Sequence, residues 1–216
     1  MYELIAIAGL GMLTLRSTKP QADQQLMPKK FRDKVSKLWD IAHQGMREDR
    51  LLRAEKALLT ILKIDKKNAA AYNRLGILYA KQKEYKDAID CFEIASSIEV
   101  SASSLHNLGL IYFETGNYEK AAASFEQAIS LESNLAARHI AYAKVLEKLG
   151  QTKKVISELE IAVKLEPNPE TYTLLARSLE ANGQFDRAAE IQRKLSVLIM
   201  PAGRPKRIMR PRKVVI

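Results

Sequence analysis

The sequence predicts an all-α chain: an α-solenoid of about five helix-turn-helix repeats, with a short apolar N-terminal segment and a basic, disordered C-terminal tail. Three observations carry this expectation. One skeleton of apolar and small residues recurs every 33–34 positions along the chain. Glycine and proline number only 9 and 7 among 216 residues, while 47% of residues are apolar, a composition that favours helix and can fill a core. The net charge of +10 sits at the two ends, leaving a neutral middle.

The repeat is clearest at Leu75-Gly76 and Leu108-Gly109. The first copy reads Tyr72, Leu75, Gly76, Tyr79, Tyr85, Ala88, Phe92, Ala95; the second reads Leu105, Leu108, Gly109, Tyr112, Tyr118, Ala121, Phe125, Ala128. Two weaker copies follow, one through His139, Tyr142, Ala143, Leu146, Gly150, Val155, Leu159 and Ala162 to Pro167, the other through Tyr172, Leu175, Ala176, Leu179, Gly183, Phe185 and Ala188. A further copy precedes them: Leu38, Ile41, Ala42, Gly45, Leu51, Ala54, Leu58, Ile61. The boundaries fall near 35–68, 69–101, 102–135, 136–168 and 169–200. Residues three and four apart share one helix face, so each copy reads as two amphipathic helices. Gly76, Gly109, Ala143 and Ala176 mark where the first helix must approach the second closely. Gly116, Gly150 and Gly183 suit the positive φ of the turn between them. One such pair cannot bury its apolar face alone, so pairs stack.

This pattern resembles the tetratricopeptide repeat (TPR) family, whose signature is W-x2-L-G-x2-Y, then A-x3-F, then P. The resemblance covers about residues 35–199. The first aromatic is replaced by Leu38, Leu105 and His139, and the closing proline is present only as Pro167. The resemblance implies a partner-binding groove lined by the first helix of each pair, at repeat positions 2, 5, 9, 12 and 13. Those positions offer Trp39, His43 and Met46; Asn73, Ile77 and Lys81; His106, Leu110, Phe113 and Glu114; Lys144 and Glu147; and Arg177 and Glu180, with Asn107 beside them. The early groove residues are apolar and aromatic, the late ones charged, which suits a peptide or helix partner. The opposing reading covers Trp39 and Met46 with residues 22–34 and packs Phe113 between repeats. The two-carboxylate clamp of chaperone-binding TPR domains is matched only at Asn107, so that use is not expected.

The ends carry a second expectation. Residues 4–15, LIAIAGLGMLTL, are apolar and uncharged. As a helix they span about 18 Å, short of the ~30 Å hydrocarbon core. They are read as an N-terminal helix over 1–15 that anchors to a membrane, followed by a basic polar linker over 16–34. Residues 16–37 hold seven basic and two acidic residues, and the positive-inside rule would place the rest of the chain in the cytoplasm. The alternative packs the run against the first repeat. The tail 201–216 carries Arg204, Lys206, Arg207, Arg210, Arg212 and Lys213 without an acid. It could meet anionic lipid or nucleic-acid phosphate. The layout resembles that of bacterial membrane-anchored TPR adaptors, although the cysteines of the metal knuckle in one such family are missing.

Catalysis finds no signature. No phosphate loop, nucleophile elbow or dinucleotide fingerprint occurs. His43, His106 and His139 stand in separate repeats, and Cys91 is the sole cysteine. The expectation is therefore a non-enzymatic scaffold with no cofactor and no metal. It binds an unidentified protein in its groove, tethered to the cytoplasmic side of a membrane, with self-association as a further mode. The alternative is a soluble cytoplasmic RNA- or ribosome-associated protein using the basic tail.

Overall fold

The structure, a computed structural model, describes residues 28–199. These residues form ten α-helices and no strand. They are α1 (Lys29–Arg47), α2 (Leu51–Ile64), α3 (Ala69–Lys81), α4 (Tyr85–Ile98), α5 (Ala102–Glu114), α6 (Tyr118–Leu131), α7 (Ala136–Lys148), α8 (Thr152–Leu165), α9 (Pro169–Ala181) and α10 (Phe185–Ile199). The five pairs follow the 33–34-residue period. The anchor at 1–15 and the tail at 201–216 lie outside the described residues. One boundary differs from expectation: the linker expected over 16–34 ends earlier, because Lys29–Lys34 already belong to α1. All six of these residues are charged or aromatic and none is a glycine or proline, and Pro28 starts the helix at its φ of −53°.

Each pair turns in the same way. Asp49, Lys83, Gly116, Gly150 and Gly183 all take positive φ, from 59° to 77°. The next N–H then donates back to the preceding helix: Arg50 to the Gly45 carbonyl at 2.8 Å, Glu84 to Tyr79 at 2.9 Å, Asn117 to Tyr112 at 2.8 Å, Gln151 to Leu146 at 2.9 Å and Gln184 to Leu179 at 2.9 Å. This is a Schellman closure used five times. Side-chain caps start several first helices. Asn68 accepts from the Ala71 N–H, Ser101 from Ser104, and Asn168 forms a capping box with Thr171 ahead of Pro169 at the first helical position.

The described residues divide into two compact units, one ending at Lys66 and the other beginning at Lys67. In the first, α1 packs on α2, with Ala42, Gly45, Ala54, Ala57, Leu58 and Ile61 buried. In the second, α3 through α10 pack each on the next, and α3–α5 and α5–α7 also touch. One core runs through this unit, from Ala88 and Phe92 through Phe125, Tyr142, Leu146 and Leu159 to Leu179 and Ala188. Close approach depends on glycine where expected: a Cβ on Gly76 would lie 2.7 Å from the Phe92 ring, and one on Gly109 2.9 Å from Phe125. Tyrosine hydroxyls are among the groups that tie neighbouring pairs. The Tyr112 hydroxyl donates to Glu93 at 2.8 Å, and that of Tyr142 donates to Glu126.

On α10 one recurring position changes residue type. Leu58, Phe92, Phe125 and Leu159 stand at one place on the second helices, and Gln192 replaces them on α10. Gln192 donates to Glu180 of its own pair. Ala188 is the one α10 residue that is buried.

Candidate functional site

In the second unit the first helices of the pairs, α3, α5, α7 and α9, present positions 2, 5, 9, 12 and 13 on one face. Between α5, α7 and the start of α9 lies a cavity of about 500 Å³. Its floor is apolar: Leu110, Phe113, Ile140 and Ala141, closed below by Phe125 and His106. Its rim carries Glu114, Glu166 and Glu170 against the single cation Lys144. A second cavity of about 490 Å³ adjoins it, shares Ile140 and Lys144, and continues over Leu174 to Arg177. The face is thus a groove with an apolar floor and an acidic early rim. Its volume is within the ~300–1,000 Å³ range of ligand sites.

Beside it, on α3 and α5, Asn107 Nδ2 donates to Asn73 Oδ1 at 3.3 Å. Both side chains are half-buried, and neither makes a further hydrogen bond among the described residues. The pair leaves the Asn73 amide N–H groups and the Asn107 amide oxygen for an extended backbone, whose C=O and N–H groups need such partners.

The histidines divide in role. His106 is half-buried against Phe125, ring centroids 5.4 Å apart, and its Nδ1 has no hydrogen-bond partner among the described residues. Burial, then the nearby Arg138 guanidinium, hold its pKa below the ordinary histidine value. It therefore lines the cavity as a neutral ring. His139 is buried, with ring nitrogens 2.7 Å from Glu158 Oε2 and 2.9 Å from the Ser133 carbonyl, so it serves packing rather than the groove. Arg138 is only 2% exposed. It donates to the Glu132 carbonyl and approaches Glu132 Oε2 at 3.4 Å.

The expected groove residues separate accordingly. His106, Leu110 and Phe113 line the cavity, Asn73 and Asn107 form the polar pair, Ile77 packs partly into the core, and Lys81 is exposed. Phe113 combines packing with exposure to the groove: it is half-buried against Tyr118 at 5.7 Å and still forms the cavity floor. Trp39, His43 and Met46 belong to the first unit, where the Trp39 and His43 rings lie 5.4 Å apart. Sequence reasoning passed over Ile140 and Glu170. Both fall on the same positional rule, fifth in the fourth repeat and second in the fifth. Glu166 was not reachable that way, because it follows the end of α8. The six basic residues of the tail lie outside the described residues. Among the described residues no group of three or more His, Cys, Asp or Glu could hold a metal ion.

Two tetratricopeptide repeat models match the chain, one over residues 69–99 and another over residues 102–135. The chain contains tetratricopeptide repeats. Solved structures share its fold. A MamA crystal structure aligns at a TM-score of 0.67 and 22% identity, covering 76% of this chain and 90% of that one. MamA 41-end from Desulfovibrio magneticus RS-1 aligns at 0.69 and 18%, over 77% and 95%. YrrB, described as a TPR protein with an unusual peptide-binding site, aligns at 0.63 and 19%, over 73% and 82%. No curated protein sequence matches significantly. At these identities the likeness shows the fold of this chain.

Proposed function

We propose that this TPR protein is a scaffold that captures an extended segment of a partner protein along the α3–α5–α7–α9 face, and that residues 4–15 tether it to the cytoplasmic side of a membrane. One observation carries the binding reading: an apolar floor open at Leu110, which is 38% exposed, runs beside the Asn73–Asn107 pair. An apolar side chain of the partner would enter the cavity. The asparagines would hydrogen-bond the partner's backbone, and Glu114, Glu166 and Glu170 would favour a flanking lysine or arginine. YrrB, of the same fold, is described as having a peptide-binding site.

The tether rests on sequence: an apolar run followed by a basic stretch, with a second basic segment at 201–216. A short apolar insertion holds stably only with a second signal such as a polybasic segment. Among the described residues no helix is long and apolar enough to cross a membrane. The test of binding is a basic–apolar peptide titrated into the full chain and into Leu110→Asp. Affinity should fall at least about tenfold in the variant, a loss of about 1.4 kcal/mol. Unchanged affinity removes this face as the site. Flotation of the full chain on phosphatidylserine-containing vesicles tests the tether; a chain that stays in the dense fraction at low salt rejects it.

A further inference from the structure

In the first unit, α1 and α2 leave a second apolar groove, of about 500 Å³, lined by Leu38, Ile41, Leu52, Ala57 and Thr60, with Arg53 and Lys56 at its edge. It lies on the side of the pair from which the chain enters. The repeat itself shows how unusual this edge is. The second residue of the second helix is Lys86, Glu119, Lys153 and Asp186 in the other four pairs; here it is Leu52, 69% exposed. The place held by Leu75, Leu108, Tyr142 and Leu175, all buried, is held here by Ile41, which is only half-buried. A solvent-facing charge has become a leucine, and a core position is left open beside it. Such a change is expected where a further apolar element covers the pair.

We propose that residues 4–15 of this same chain dock in the α1–α2 groove. Three features point to that occupant. The run is apolar apart from Thr14 and matches a groove walled by Leu38, Ile41, Leu52 and Ala57. The spacer from residue 16 to residue 28 can extend to roughly 45 Å, and α1 is about 28 Å long, so the run reaches every part of the groove. Glu3, the one charged side chain in residues 1–15, would meet Arg53 and Lys56 at the groove edge. Docking would hide the run from water and make the tether reversible, since the run would exchange between groove and bilayer. This inference rests in part on the tether reading, and the experiment separates the two.

The test places a thiol at the groove as Leu52→Cys and measures its maleimide reaction rate in the full chain and after deletion of residues 2–15. The native Cys91 is buried and its thiol is pushed up to about 11, so it does not compete. Val197→Cys, at a site 75% exposed on α10, controls for general changes in reactivity. The full chain should protect the introduced groove thiol at least about tenfold relative to the deletion, with the control unchanged; about 1.4 kcal/mol of docking gives that factor. Equal rates overturn the docking proposal, whether or not the chain floats on vesicles. Protection that grows with protein concentration assigns the groove to a second copy and overturns it equally. Protection that is lost on adding phosphatidylserine-containing vesicles supports both docking and exchange. Protection that persists, in a chain that does not float, upholds docking and rejects the tether.

Discussion

Gly76 and Gly109 set the distance between paired helices, because Phe92 and Phe125 lie directly over them. Gly76→Ala should cost about 1–3 kcal/mol by overpacking, and Gly109→Leu more than about 2 kcal/mol; urea unfolding checks both. Gly150 is a different case, with open space around it but a φ of +70°, so its alanine variant carries only the backbone strain. His106 supplies a pH test. Its folded pKa is depressed, so the unfolded chain binds the proton more readily. Stability is full above about pH 6.5 and is lost as pH falls below it. Arg138→Met should raise the His106 pKa toward the ordinary value, read by NMR titration, and should also lower stability, because the Glu132 carbonyl loses its donor. A His106 pKa unmoved by that change would show burial alone to be responsible.

At the scale of elements, the turn within each pair is the most regular feature. Three of the five positive-φ positions are glycines, and the other two are Asp49 and Lys83. Lys83→Gly should therefore stabilise the chain by roughly 0.5–1 kcal/mol, the relief of a left-handed residue less the added freedom of the unfolded chain. Thermal unfolding decides it. Between pairs, Tyr112→Phe removes the bond to Glu93 and should cost about 0.5–1.5 kcal/mol. These elements were legible in sequence because their spacing is fixed by packing: a glycine under an aromatic leaves a signature at a constant period. The start of α1 was not, since Lys29–Lys34 carry the charge of a linker while remaining compatible with helix. The equivalence of Asp49 and Lys83 to the turn glycines was likewise hidden, because a lysine gives no sign of positive φ and an aspartate only a weak one.

At the scale of the whole molecule, one unit carries the face proposed to bind a partner and the other carries a separate apolar groove. The floor residues Leu110 and Phe113 could be read from positional rules alone, and Ile140 and Glu170 follow from the same rule. The acidic rim could not be fully read, because Glu166 reaches the cavity from the end of α8. The Asn73–Asn107 contact joins residues 34 apart and becomes visible only when α3 and α5 lie side by side. The central claim is that this face binds an extended peptide segment. Its most direct measurement selects peptides from a random library on the full chain and maps the tightest binder by methyl NMR. The account predicts an apolar residue flanked by lysine or arginine, shifts concentrated at Leu110, Ile140 and Leu174, and binding weakened at least about tenfold by the double change of Asn73 and Asn107 to alanine. Shifts that centre elsewhere, with binding indifferent to Leu110→Asp and to the asparagines, would contradict it.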